Sequence, residues 1–181
     1  APDESNAPIE QSDCIYYCVG TPYGEDGQAD LTYLLKAIDE TLDVINDHRF
    51  RVLVVKSTIP PSTTEDRIIP HIRQRGIRVG EPVENDNNRE VLHIGVANNP
   101  EFLREGHCWE DFMKADRIVL GISDEKSERL LRKVYASVPI PIFCVSLNTG
   151  EFIKYLSNTL LATLISFSNE MSMIADTIGH I

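Results

Sequence analysis

Polar and charged side chains follow three successive apolar segments of the sequence, and together they could bind a ligand. Gly20-Thr21-Pro22 follows the first segment, Ser57-Thr58 the second, and residues 100–105 the third. If these segments are strands of one parallel sheet, their carboxyl ends share the edge where α/β proteins bind ligands. Glycine, serine, threonine and proline also end strands because they suit turns, so each segment alone favours neither interpretation.

A lysine and an asparagine lie one helical turn apart near the C-terminus. Lys154 and Asn158 are at positions i and i+4 of a predicted helix and therefore share one face. A lysine in the first turn can extend its ammonium group past apolar neighbours to solvent. Alternatively, a cation beside an amide can stabilise an oxyanion. The spacing leaves both interpretations open.

Short apolar segments that alternate with amphipathic ones must position these residues. Five buried strands are predicted over residues 14–19, 51–55, 92–97, 117–121 and 141–145. Helical periodicity covers residues 30–45, 63–74 and 125–137. This alternation predicts βαβ units and a parallel sheet, and so an α/β fold. Residues 1–12 and 79–92 are polar and aperiodic, and we expect loops there.

A long helix is predicted from Asn148 almost to the end of the chain. Asn148 and Glu151 have the N-cap and N3 spacing of a capping box. Beyond Phe152 the helix is apolar on nearly every side, which is typical of a helix that is buried against several neighbours.

Composition and charge narrow the class of protein. The 181 residues are 42% hydrophobic and 25% charged, as in globular proteins. The net charge of −11 argues against a nucleic-acid surface. No apolar run is long enough to span a membrane, and the first residues do not resemble a signal peptide. We therefore expect a cytoplasmic protein without nucleic-acid or membrane partners.

The cysteines and histidines do not indicate a metal site. The four cysteines fit neither a zinc pattern nor a dense disulfide framework, and the five histidines are scattered. We expect no metal and reduced thiols. Cys14 and Cys18 are expected to be buried on one face of the first strand.

The sequence contains no G-x-G-x-x-G motif. A dinucleotide-binding sheet normally begins with a strand that carries this motif, since its glycines let the backbone approach the pyrophosphate. The first strand here would present an uncovered apolar edge. We expect either that further sequence precedes it or that another element covers the edge.

Four sequence strings, in this order and at these intervals, resemble the UDP-glucose/GDP-mannose dehydrogenase family. They are VGTPYGEDGQADLTY (19–33), VVKSTIPPST (54–63), NPEFLREG (99–106) and EFIKYLSNTLLATLISFSNEM (151–171). The resemblance implies the second half of a Rossmann-like parallel sheet with flanking helices, followed by a long central helix. Residues 1–147 would be a partial NAD-binding domain, and residues 148–181 the start of a central region that forms a homodimer in a longer parent protein.

The same resemblance implies roles for individual residues. Residues that would contact the NAD cofactor are Gly20, Thr21, Pro22, Ser57, Thr58, Ile59 and Glu105. Residues that would contact the UDP- or GDP-sugar substrate are Glu101, Phe102, Leu103, Arg104, Glu105, Lys154 and Asn158. Glu101 resembles the acid/base glutamate of the family, and Thr58 the threonine that helps to place a water. Lys154 and Asn158 resemble its oxyanion-stabilising pair.

The family reaction implied by the resemblance oxidises the sugar's primary alcohol to a carboxylate with two NAD, through a thioester on a cysteine. That cysteine lies in a glycine-rich FGGxCFPKD-like stretch after the lysine helix. None of the four cysteines here has this setting. We therefore expect the chain to be a piece of the enzyme, inactive by itself.

Two alternatives stay open from the sequence. The parent enzyme could act on a UDP-N-acetylhexosamine, because the substrate-specific residues of the family lie mostly outside the strings quoted above. The chain could instead be a truncated, non-catalytic binding or scaffold module of the same fold, for which an apolar helix and a bare sheet edge are suitable surfaces.

Overall fold

The computed structural model describes residues 7–25, 27–82 and 91–179. The strands are β1 Cys14–Tyr17, β2 Arg51–Val55, β3 Arg78–Val79, β4 His93–Asn98, β5 Ile118–Ile122 and β6 Ile142–Val145. The α-helices are α1 Ala7–Gln11, α2 Thr32–Val44, α3 Ile69–Gln74, α4 Cys108–Met113, α5 Glu125–Val134 and α6 Leu147–Ile178. A π-helical turn, Thr64–Ile68, leads directly into α3.

Within the described ranges the strands form one six-stranded sheet in the order β1-β2-β4-β5-β6, with β3 beside β4. The predicted α/β class and the mainly parallel sheet are confirmed. The sheet differs from the prediction at β5, which runs antiparallel to β4 and pairs Gly121 with Asn98. A parallel connection needs a crossover element packed on the sheet. The only helix between β4 and β5, α4, has no buried residue and does not supply one.

Helices cover both faces of the sheet, and the sheet separates the core into two clusters. Leu34, Ile38 and Ile72 from α2 and α3 pack on one face. Leu131 of α5 and the adjoining Tyr135 pack on the other. The central strand β2 is buried along its whole length, because side chains of both faces meet helices. This continuous burial explains why its sequence, RVLVV, does not alternate between apolar and polar residues.

Helix α6 is buried only at its start. Its buried residues are Leu147, Gly150, Glu151 and Lys154. Farther along, Leu160, Leu164 and Phe167 are 54–57% exposed. The prediction that this helix is buried on several sides is wrong for this chain, since only its first turns pack against β4, β5 and the π-helical turn.

The start of α6 also differs from the predicted capping box. The N-cap is Ser146, whose hydroxyl accepts a hydrogen bond from the Thr149 amide at 3.3 Å. Asn148 lies inside the helix and donates to the exposed Glu65 at 2.9 Å. Glu151 is free of the capping role and is buried against another helix.

The loop and cysteine predictions are corrected in part. A short helix, α1, lies in the predicted N-terminal loop, and β3 ends at Val79, the first residue of the stretch 79–92 that was expected to be irregular; residues 83–90 of that stretch lie outside the described residues. Because β1 ends at Tyr17, Cys18 is exposed and Cys14 is half-buried. They do not form the expected buried pair. In the described ranges, no helix has the length and apolarity that crossing a bilayer demands.

Candidate active site

The turns after β1 and β2 lie side by side at the carboxyl edge of the sheet. The Thr21 hydroxyl donates a hydrogen bond to the Thr58 carbonyl at 2.7 Å. The Ser57 hydroxyl donates to the Val19 carbonyl at 2.5 Å. These two bonds run between the turns, so the structure brings together the first two of the three strand ends that the sequence singled out.

The third strand end and the C-terminal helix meet in an ion pair. The Lys154 ammonium lies 3.1 Å from one carboxylate oxygen of Glu101, with the lysine side chain 7% exposed and the glutamate 31%. The other oxygen of Glu101 accepts the Leu103 amide at 2.7 Å. The alternative in which Lys154 extends to solvent is therefore wrong. The pair holds a cation and a carboxylate at the rim of the sheet.

Phe102 lies between two cations beside this pair. The Arg117 guanidinium is 4.5 Å from the centre of the Phe102 ring, and the Lys154 ammonium is 5.6 Å from it. Cations are attracted to the face of an aromatic ring. Phe102 therefore gives both cations a favourable contact beside the ion pair.

Asn98 anchors α6 to the sheet below the ion pair. Its side-chain amide donates to the Leu147 carbonyl at 2.8 Å. Two glycines make room for it, since a Cβ at Gly121 or at Gly150 would lie 2.2 Å from the Asn98 amide oxygen. Gly150 precedes Lys154 by one helical turn, so this contact determines where the lysine leaves the helix.

Of the other residues singled out by the sequence, Leu103 and Arg104 line a cavity together with Glu101. Arg104 binds Asp111 through 2.7 and 3.1 Å contacts and is itself exposed. These hydrogen bonds lower the pKa of Asp111 to about 2. Glu105 and Asn158 are exposed and Leu103 is half-buried. At the two turns, Gly20 and Pro22 are exposed, whereas Ile59 is buried in the core.

Sequence reasoning missed Lys56, which comes directly after the buried strand β2. Its ammonium lies 3.2 Å from the side-chain oxygen of Asn99, which also accepts the Tyr135 hydroxyl at 2.6 Å. Burial lowers the pKa of Lys56, the charge of Lys154 lowers it further, and the charge of Glu101 opposes both. A cation placed directly after four apolar residues was the signal that could have revealed it.

A cavity of about 280 Å³ opens next to Glu101. Its lining includes Lys56, Glu101, Phe102, Arg117, Tyr135 and Ile140. The apolar lining comes from the loop after β4, from α4, from the start of β5 and from the segment after α5. In the parts of the chain that the structure describes, no three histidine, cysteine or acidic side chains are close enough to hold a metal ion.

Comparison with known proteins decides the family. Residues 3–139 match the NAD binding domain of the UDP-glucose/GDP-mannose dehydrogenase family, and residues 148–180 match its central domain. The chain belongs to this family. The predicted resemblance is thereby confirmed, and NAD is the cofactor of its N-terminal domain.

Known members cover several substrates. A UDP-glucose 6-dehydrogenase of Rickettsia conorii is 41% identical over 96% of this chain and 36% of its own length. A GDP-mannose dehydrogenase from Pseudomonas aeruginosa, in a ternary complex, superposes with a TM-score of 0.84 at 30% identity, over 97% of this chain and 38% of that one. A UDP-D-ManNAc dehydrogenase from Pyrococcus horikoshii superposes with a TM-score of 0.77 at 28% identity, over 96% of this chain and 38% of that one. The chain thus spans little more than a third of the relatives it matches.

The residues present fit one wall of an NAD site. The turns that carry Thr21 and Thr58 are joined at an open edge, and a Cβ at Gly20 would meet nothing within 4 Å. A flat ligand can therefore approach the backbone there. No G-x-G-x-x-G turn of the kind that holds a pyrophosphate occurs in these 181 residues.

Proposed function

We propose that this chain forms part of a nucleotide-sugar 6-dehydrogenase that oxidises the primary alcohol of a UDP- or GDP-hexose to the uronate, using two NAD. The observation that supports it is the 3.1 Å contact between Lys154 and Glu101 at the sheet edge. We also propose that the cofactor domain ends near residue 147, where α6 begins.

Charge development explains why these residue types suit the reaction. Oxidation of an alcohol to an acid passes through stages in which negative charge collects on the sugar oxygen. Lys154, with Asn158 one turn away, stabilises that charge. Glu101 exchanges a proton with the substrate hydroxyl or with water, and Thr58 orients the water. When bound, NAD supplies the oxidising power of both steps.

The test is a turnover assay on the full-length polypeptide that the gene encodes. UDP-glucose, GDP-mannose and UDP-N-acetylhexosamines are each supplied with NAD, and NADH is followed by absorbance. We expect two NADH per sugar with a UDP- or GDP-hexose. The isolated 181 residues are expected to show no turnover, and NADH formation by this piece alone would overturn that part of the proposal.

A UDP-N-acetylhexosamine is the second candidate substrate. It is supported by the superposition on the UDP-D-ManNAc dehydrogenase from Pyrococcus horikoshii. Preference for the N-acetyl sugar in the same assay would establish this alternative. Absence of turnover with every sugar nucleotide would favour a non-catalytic scaffold. The expected cytoplasmic location stays a prediction.

We also propose that the parent protein is a homodimer that pairs through α6. Apolar side chains at 160, 164 and 167 of this helix are more than half exposed, and an exposed apolar surface of this extent is typical of an association site. A second copy of the chain offers the same apolar surface, as a two-fold interface requires.

A further inference from the structure

Glu151 is a buried carboxylate whose contacts lead away from its own helix. It is 3% exposed. One of its oxygens accepts two hydrogen bonds from Thr64, from the amide at 2.8 Å and from the hydroxyl at 2.5 Å. Thr64 is fully buried and begins the π-helical turn before α3. Glu151 of α6 therefore caps a helix that lies 87 residues earlier in the sequence.

This arrangement is unfavourable for the carboxylate itself. Burial raises the pKa of Glu151, whereas the hydroxyl and amide of Thr64 and the amide of Ser62 lower it and only partly offset the burial. Ser62 has a positive φ of 71°, a backbone conformation that costs a non-glycine residue free energy. A charged group and a strained turn kept together in the interior indicate a role beyond core packing.

The two ends of this contact connect to two residues of the proposed site. Thr64 lies at the end of the segment 57–64, which starts with Ser57 and Thr58. Glu151 lies one helical turn before Lys154. Thr58, Glu151 and Lys154 also line one narrow cavity of about 10 Å³. The Glu151–Thr64 contact is thus the buried polar link between the Thr58 turn and the lysine helix.

We propose that Glu151 is a positioning residue: by binding Thr64 it holds the Thr58 turn at a fixed distance from Lys154. This rests on the proposed function, in which Thr58 and Lys154 act on the same reacting group. A misplacement of about 1 Å in such a site lowers the rate about 100-fold. The ground-state affinity for substrate is not expected to depend on this contact.

The test compares variants of the full-length protein in the NADH assay. Glu151→Leu removes the acceptor, and we expect kcat to fall about 100-fold with KM for the sugar nucleotide unchanged. Glu151→Gln keeps an oxygen that accepts both Thr64 bonds, and we expect kcat within about threefold of the wild type. The matched control is Asp66→Leu, an exposed carboxylate two residues after Thr64, with an expected change of about twofold or less.

A double-mutant cycle tests whether the two residues act through one contact. Thr64→Val alone is expected to lower kcat about tenfold, and in the Glu151→Leu background it should have almost no further effect because the partner is already lost. Independent, multiplicative effects would overturn the proposal. So would a Glu151→Gln enzyme as slow as Glu151→Leu, or a Glu151→Leu enzyme with unchanged kcat.

Hydrogen exchange separates a failure of this proposal from a failure of the proposed function. We expect amides of residues 57–64 to exchange about tenfold faster in Glu151→Leu than in Glu151→Gln, with β5 unchanged. Unchanged exchange in residues 57–64 would overturn the positioning role even in an active enzyme. Faster exchange in a protein that oxidises no sugar nucleotide would leave the link established and the proposed function overturned.

Discussion

Lys154 and Glu151 are charged side chains that lie one turn apart on the buried face of α6, 6% and 3% exposed. Removing charges from water is costly unless each finds a partner. Lys154 has Glu101 and the face of Phe102, and Glu151 has Thr64. The partners differ in kind: Lys154 contacts an opposite charge, whereas Glu151 contacts neutral hydrogen-bond donors. The two residues should therefore respond differently to substitution.

Replacing Lys154 tests its role as the oxyanion-stabilising cation. We expect Lys154→Met to lower kcat about 100- to 1,000-fold, the usual cost of losing one donor to a developing oxyanion. Steady-state NADH formation by the full-length enzyme measures this. Lys36→Met, which removes an exposed lysine on α2, is the matched control. A Lys154→Met enzyme as fast as this control would contradict the assignment.

The buried Glu151 carboxylate should make stability depend on pH in a defined direction. Its folded-state pKa is raised above the ordinary 4.5, so between 4.5 and the raised value the folded state binds more protons than the unfolded state. The free energy of unfolding therefore falls as pH rises through this window. Glu151→Gln lacks the effect, so its stability relative to wild type should rise with pH. Urea unfolding from pH 4 upward measures both, and parallel pH profiles would contradict the expectation.

At the scale of elements, the site depends on how α6 is seated on the sheet. The seat of α6 is the contact at which the Asn98 side chain, at the end of β4, packs against Gly121 of β5 and Gly150 of α6. It requires the reversal of β5, because the antiparallel register is what places Gly121 opposite Asn98. Strand direction, two glycines and one asparagine amide together fix the base of α6.

Adding one methyl group at this contact should lower the stability of the fold. Gly150→Ala improves helix propensity by about 1 kcal/mol, yet its Cβ would lie 2.2 Å from the Asn98 amide oxygen and 3.1 Å from the Gly121 Cα. We expect net destabilisation of about 1–3 kcal/mol from overpacking. Thermal unfolding measures it, with Gly20→Ala as a stability control in open space. Equal unfolding temperatures for the two variants would show that the seat is not tight.

The elements were predictable from the sequence, but their mutual contacts were not. Local periodicity and apolar runs located β2, α2 and α5 closely, because burial imposes those patterns on neighbouring residues. The antiparallel direction of β5 was not predicted, because it depends on α4 not packing on the sheet as a crossover helix. The true partner of Glu151 lies 87 residues away, whereas its spacing to Asn148 suggested a local cap. Strand ends and helical spacing singled out Thr58, residues 100–105 and Lys154, but only the resemblance to a known family gave these residues roles.

At the scale of the whole molecule, the chain carries an uncovered surface. Helix α6 extends beyond the body with a stripe formed by Leu160, Leu164, Phe167 and Met171. At the other side β1 pairs only with β2, so its second edge is unpaired among the described residues. The apolar helix surface and the unpaired sheet edge are both surfaces to which another polypeptide segment can bind.

The exposed stripe should control the state of assembly. We expect the full-length protein to be dimeric, and the double substitution Leu160→Glu with Leu164→Glu to make it monomeric, because two buried charges per subunit would oppose the interface. Light scattering coupled to gel filtration measures the mass. Val134→Glu, at an exposed apolar position on α5, is the control that should stay dimeric. A dimer that survives the double substitution would place the interface elsewhere.

The seat of α6 on Asn98 also has a consequence during synthesis. The bond from Asn98 to Leu147 closes a loop of 49 residues, and contacts this distant in sequence form late because the chain between them must first be ordered. When the chain has left the ribosome only as far as β6, all six strands of the sheet can already pair with one another. Glu101 then lacks its contact with Lys154. The sheet can therefore form before the first two turns of α6 emerge and bring Lys154 to Glu101.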